Sequence, residues 1–191
     1  MAMNLQSNNS RAILAQALHD FKKKHPEQQK VADSMLEFIS TNQNCFSRSN
    51  TSGHLTGSAW LINPKGDKVL LTLHRKLQRW MQTGGHADDE QDSLHIAIRE
   101  AEEESGIQGI RAVSTDIFDI DIHRIPARPE KNEPEHYHYD IRYLLQVPHE
   151  NFIISDESDE LAWWSKTDIE ANLHLFDESV KRMAQRYFKQ K

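Results

Sequence analysis

One stretch, GGHADDEQDSLHIAIREAEEESGI from Gly84 to Ile107, constrains the chain more than any other: a glycine turn runs into a short helix dense in acid. Read as a helix from about Ser93, it places Leu94, Ala97, Ile98 and Ala101 at i, i+3, i+4 and i+7, the spacing of one buried face. Glu100, Glu103 and Glu104 share the adjacent face. Carboxylates crowded into one turn repel one another and raise one another's pKa unless something positive sits among them. Hard divalent cations take oxygen ligands, so Mg2+ or Mn2+ is the natural counter-charge. On periodicity alone a solvated acidic helix face is the commoner arrangement.

The spacing of these residues resembles the Nudix hydrolase signature, G-x5-E-x7-R-E-U-x-E-E-x-G-U with U aliphatic. Gly85 takes the first glycine, Arg99 and Glu100 the RE pair, Ala101 the U position, Glu103 and Glu104 the EE pair, and Gly106 and Ile107 the end. Gln91 departs, standing where the signature has its first Glu. The preceding Trp80-Met81-Gln82-Thr83-Gly84 is similar to the family's W-x-x-P-G-G approach, with Thr83 in place of the proline. The resemblance implies hydrolysis of a nucleoside diphosphate linked to another group. It makes Glu103 and Glu104 the main metal ligands beside the backbone of Gly84, and Glu100 a further ligand or the base.

Such a site is chemically reasonable without the family. A pyrophosphate is anionic, and an acidic site approaches it only through bridging cations, which neutralise phosphate oxygens and lower the pKa of a bound water. Glycines let backbone come close where a Cβ would intrude. Arg99 is expected to orient a carboxylate through a charge-assisted hydrogen bond, although a surface helix Arg fits the same position. Gln91 keeps an acceptor oxygen and loses the charge, so it is expected to orient its neighbours more weakly than Glu.

With 191 residues, 37% hydrophobic and 27% charged, the chain suits one globular domain with an extension: a helical segment over 1–50 and a catalytic domain over 54–186. A formal charge of −6 argues against a broad duplex-binding surface, whereas a nucleotide or other small diphosphate can be met locally through metal. Cys45 is the lone cysteine, which excludes an intrachain disulfide and suits a reducing compartment. Neither a signal peptide nor a membrane span is expected, so the reading is a cytoplasmic protein.

Before the catalytic domain, Asn9 or Ser10 is expected to cap a helix with the stripe Ile13, Leu14, Ala17, Leu18 and Phe21, ended by Lys22 to Lys24 and Pro26. Val31, Met35, Leu36, Phe38 and Ile39 form a second stripe. The hairpin must bury both, on the same chain or across a homodimer contact. Phe46 is expected to anchor the following loop, and Cys45, with no partner in view, reads as a small thiol rather than a nucleophile. Strands are expected at His54 to Ile62 and Lys68 to His74, turned at Asn63-Pro64-Lys65-Gly66-Asp67. Arg75 beyond them is a cation for substrate phosphates or simply for solvent. His86, just after the paired glycines, can contact a phosphate or brace the loop.

Asp116 to Ile125 and His136 to Val147 read as strands joined by the loop Pro126 to Glu135, a lid by position. In the second strand His136, His138, Asp140 and Arg142 alternate with Tyr137, Tyr139, Ile141 and Tyr143. A wet face of this kind suits a nucleobase or ribose, making His138 and Arg142 substrate contacts. With His123 it also allows a rival histidine site for Zn2+, although a polar sheet face explains the same residues. Near the end, Ser155 to Trp164 resembles the family's acidic loop leading to an E-x-x-W strand. By that resemblance Glu157, and after it Glu160, completes the metal site or acts as base. A helix start at Thr167-Asp168 and a C-terminal helix over Glu178 to Lys189, burying Val180, Met183, Ala184 and Phe188, close the chain.

The resemblance covers residues 54 to 186, and GGHAD, IFDIDIH and HYHYDIRYLL look like a bacterial subgroup of the family. It implies an α/β/α sandwich with a mixed sheet, carrying here a helical N-terminal extension, and a Mg2+- or Mn2+-dependent pyrophosphohydrolase. Two alternatives stand beside it. One is a nucleotide-binding sensor without turnover, motivated by Gln91; the other is an isomerase of isopentenyl diphosphate, whose catalytic cysteine Cys45 does not match.

Overall fold

The computed structural model describes residues 2–75, 78–153 and 158–189, and the side chains of these except 2–8, 131 and 158. Two helices, α1 (Ala2–Lys24) and α2 (Gln29–Thr41), come first, separated by His25 and a single 3-10 turn at Pro26–Gln28. The expected cap at Asn9 or Ser10 is absent, because α1 runs through both positions. Asn9 faces solvent there, and a mid-helix Asn costs at most ~0.7 kcal/mol, too little to stop a cooperative helix. Leu14, Leu18 and Phe21 of α1 and Ala32, Met35, Phe38 and Ile39 of α2 are buried, whereas Ile13 is turned outward.

Among the described residues eight strands build one mixed sheet: β1 (Gly53–Ile62), β2 (Lys68–His74), β3 (Arg79–Met81), β4 (Thr83–His86), β5 (Arg111–Ala112), β6 (Asp119–Ile125), β7 (His136–Gln146) and β8 (Ser158–Ser165). β1 is central. It pairs in parallel with β7 along its whole length, and on its other edge antiparallel first with β4 and then with β2. β6 and β5 pair with β7, and β3 and β8 with β2. The glycine segment expected as a turn is thus a strand, and the strand expected from Asp116 begins at Asp119.

Side chains alternate across β1, so its two faces enter different cores. Leu55, Ala59 and Leu61 join Ile141, Tyr143 and Leu145 of β7 beneath α3 (Ser93–Ser105) and the N-terminal hairpin, where Phe38 stacks on Tyr139 at 3.8 Å between ring centroids. Trp60 and Ile62 lie with Val69 and Leu71 beneath α5 (Glu178–Phe188), which buries Val180, Met183, Ala184, Tyr187 and Phe188. Helices therefore cover both faces, the α/β/α arrangement expected. The short α4 (Lys166–Ala171) is capped by Ser165, with Asp168 completing a capping box, two residues before the expected start.

Candidate active site

Helix α3 lies unusually close to β1 and β4, and glycines permit it. A Cβ on Gly57 would stand 2.7 Å from Ile96 Cγ2, and one on Gly85 would collide with the Glu100 carboxylate. The buried stripe of α3 is Ser93, Ile96, Ala97, Ala101 and Ser105, rotated from the expected one so that Leu94 and Ile98 are only partly covered. That rotation sets Glu100 and Glu104 against β4. Asp92 fixes the helix start by accepting from the amides of Leu94 and His95, and Gly106, at φ 68°, ends it.

Two hydrogen bonds tie the acids to the strand. The Gly84 amide donates to the Glu104 carboxylate at 3.2 Å, and Arg99 Nη2 donates to the His86 carbonyl at 2.8 Å. Arg99 Nη1 lies 2.7 Å from Glu100 and 3.4 Å from Glu103. The positive charge that three crowded carboxylates require is therefore partly supplied by Arg99. Burial pushes the Glu100 carboxyl above the ordinary range, against the pull of Arg99. Three carboxylates against one guanidinium leave two negative charges around glycine backbone that a Cβ would fill, a donor set suited to a hard divalent ion such as Mg2+ or Mn2+.

Gln91 sits just before this helix with its Oε1 buried and unpartnered. Glu90, next to it, does not take over the missing charge at that point. Its carboxylate accepts from the amides of Gln91 and Asp92 and lies 3.2 Å from His95 Nδ1.

The other expected site residues scatter. Arg75 is exposed, and its Nε bonds Asp159 of β8 at 2.8 Å. Glu157 lies outside the described residues, while Glu160 is exposed on β8. Cys45 is buried, and burial pushes its thiol up to about 11, contrary to a nucleophile's needs. Arg142 departs most from expectation. It is 1% exposed and enclosed by Asp140 at 2.7 Å, Asp119 at 3.1 Å and Asp121 at 3.5 Å, so its donors go to carboxylates of its own fold rather than to a substrate. The alternation placed it on the correct face, but α5 covers that part of the face.

His86 and His138 do meet, in company the sequence did not reveal. The parallel register sets His54 of β1 against His138 of β7, and the antiparallel pairing with β4 sets Thr56, two residues along, against His86. One ring nitrogen from each of His54, His86 and His138 lies within 4.8 Å of the others. His136 Nε2 is 3.3 Å from His138 Nε2, and the His123 ring is 5.3 Å from that of His138. Burial lowers the pKa of His54, that of His86 to about 4 and that of His138 to about 2, so the rings are neutral at pH 7. The expected trio of His123, His136 and His138 contained one of these three; no local signal marks His54 or ties it to the hairpin.

Comparison with known proteins matches this geometry to a family. The model of the NUDIX domain matches residues 54–187. A protein of Lactococcus lactis described as "Probable DHNTP pyrophosphohydrolase" is 29% identical over 120 residues, covering 63% of this chain and 70% of its own. A Nudix-family hydrolase from Clostridium perfringens is 25% identical with a TM-score of 0.54, over 72% of this chain and 98% of that one. The E. coli dihydroneopterin triphosphate pyrophosphohydrolase shares the fold at a TM-score of 0.55 and 14% identity, over 72% and 96%. Helix α3, its glycine strand and the sheet around them thus belong to a chain that is a member of the Nudix hydrolase family, hydrolases of phosphoanhydride bonds.

Proposed function

We propose that this protein is a Mg2+- or Mn2+-dependent pyrophosphohydrolase that cleaves a nucleoside diphosphate, or a similarly built diphosphate, from the group attached to it. The observation that carries the reading is the fixing of Glu104 to β4 through the Gly84 amide and of Glu100 through Arg99, with Glu103 reaching the same guanidinium at 3.4 Å. Glu103 and Glu104 would hold the ion with the Gly84 backbone beside them, and Glu100 would serve as a further ligand or as the base. A bound ion would supply charge neutralisation at the phosphate oxygens and activation of water. Glu100 suits proton abstraction because burial raises its carboxyl toward the pH at which a general base works best. Arg99 keeps Glu100 turned toward the site, and its bond to the His86 carbonyl fixes helix to strand. His86 and His138, beside the acids, are the contacts proposed for the rest of the substrate.

The Lactococcus relative puts DHNTP first among the substrates to be tried, ahead of other nucleotides. The site is read as working in the cytoplasm on small molecules. Among the described residues no helix is long and apolar enough to cross a membrane. A second reading, a nucleotide sensor without turnover, draws on the unpartnered oxygen of Gln91.

The deciding assay follows phosphate and pyrophosphate release from DHNTP and a nucleotide panel with Mg2+ or Mn2+, for wild type, Glu103→Gln, Glu104→Gln and Glu100→Gln. Turnover should fall on the order of 10²- to 10⁴-fold in Glu100→Gln if it is the base, with larger losses in the other two. Full activity in Glu103→Gln and Glu104→Gln would refute the assignment. Metal-dependent binding with no turnover of any substrate would favour the sensor.

A further inference from the structure

We propose that His54, His86 and His138 form a second cation site, for a borderline first-row ion of the Zn2+ class, distinct from the carboxylates of α3. Geometry supplies the first argument, since one nitrogen from each ring already falls within 4.8 Å of the others. Nitrogens on a single tetrahedral ion at about 2.1 Å stand roughly 3.4 Å apart. His86 and His138 are only half-buried, so small rotations of their rings close that gap.

His54 supplies the second. It is 3% exposed, and neither ring nitrogen has a hydrogen-bond partner. The Asn50 carbonyl bears on the ring without meeting a nitrogen at hydrogen-bonding geometry. A buried polar group without a partner is destabilising, a penalty that a ligand removes. Imidazoles on three neighbouring strands form a rigid donor set, and nitrogen donors favour Zn2+ and its neighbours over Mg2+.

A third argument lies just outside the triad. His136 Nδ1 is 2.9 Å from the Pro134 carbonyl, which only accepts, so that nitrogen carries the proton. His136 Nε2 in turn lies 3.3 Å from His138 Nε2. An outer hydrogen bond of this kind is what holds metal-ligating histidines in place. Three protein ligands leave a fourth position open to water or to an anionic group.

The test uses the full chain with Co2+ as a spectroscopic stand-in and Zn2+ in calorimetry. Wild type should develop the visible absorption of tetrahedral cobalt from one bound ion, apart from any ion taken by the carboxylates, and Glu103→Gln with Glu104→Gln should leave that absorption unchanged. His86→Gln and His138→Gln, at half-buried positions, should weaken binding at least ~10-fold with unaltered far-ultraviolet circular dichroism. Zinc-edge X-ray absorption of wild type gives an independent reading, with imidazole scattering expected. Absence of the tetrahedral absorption, a zinc shell of oxygens alone, or that absorption lost in the carboxylate variants and kept in the histidine variants would each overturn the proposal.

Discussion

One face of β7 carries four polar side chains in succession, and its two halves meet their needs in opposite ways. At the α5 end, Asp140 accepts from Thr56 at 2.9 Å, Ser58 at 2.7 Å and Arg142 at 2.7 Å, while Asp119 is shared among Arg142, Arg182 and Arg186. Every charge there faces an opposite one. At the other end His138 and His136 lean on each other, and His54 beside them has no hydrogen-bond partner. The contrast separates two uses of buried polarity. A saturated network has no donor left for a ligand and serves to hold β6, β7 and α5 in register, whereas open lone pairs on a rigid frame are available for binding.

The most severe way to break the first half is Arg142→Ala. It leaves Asp140 and Asp119, both almost wholly enclosed, without their shared counter-ion, and should cost about 3–5 kcal/mol in urea unfolding. A loss below about 1 kcal/mol would mean that Arg182 and Arg186 suffice and that saturation is not what stabilises this end.

Acid should take the halves apart in sequence. Burial, and then the nearby Arg48 charge, lowers His86 from 6.5 to about 4. The folded state there binds fewer protons than the unfolded one, so stability is full above 6.5 and is lost as pH falls toward about 4, by up to about 3 kcal/mol. Burial pushes Asp121 up, but the His123 hydrogen bond and the charges of Arg142 and Arg182 outweigh it and bring it from 3.8 to about 2. Its contribution is full above 3.8 and disappears as pH falls through about 2. His138, lowered from 6.5 to about 2, adds a loss that runs through both ranges, so thermal melts against pH should begin to fall below 6.5, and His86→Gln should reduce that first fall without changing the one below 3.8. A single decline below 3.8 would erase the distinction.

The smallest expected effect sharpens the comparison from outside. Arg124 and Glu135 form a 3.0 Å pair across the β6–β7 hairpin, both about half exposed. Arg124→Ala should change stability by less than about 1 kcal/mol, and in a salt-dependent way. A loss rivalling that of Arg142→Ala would show that burial is not what separates the two pairs.

What the sequence revealed follows how local each signal is. Helix α3, its acids and Arg99 all lie within one short run, where spacing alone puts them on neighbouring faces. Even so, the packed stripe turned toward Ile96, because Gly57, far back in the chain, lets the helix close in. Alternation also placed Arg142 beside Asp140, but whether that face was wet depended on Arg182, Arg186 and Asp119, which no periodicity connects. The meeting of His54 and His138 rests on a parallel register between strands separated by most of the domain. Registers of that kind are set by the whole sheet and leave no trace in the neighbourhood of either residue.

Strand β4 spans only Thr83–His86, yet both polar centres hang from it: the Gly84 amide and His86 carbonyl reach α3, while the His86 ring points into the histidines. The two centres are consequently levers on one short beam. A substitution that displaces β4 at His86 would disturb at once the ring and the carbonyl that steadies Arg99, and with it Glu100. Because binding free energies are reciprocal, whatever occupancy at the histidines does to affinity at the carboxylates, occupancy at the carboxylates does in equal measure at the histidines.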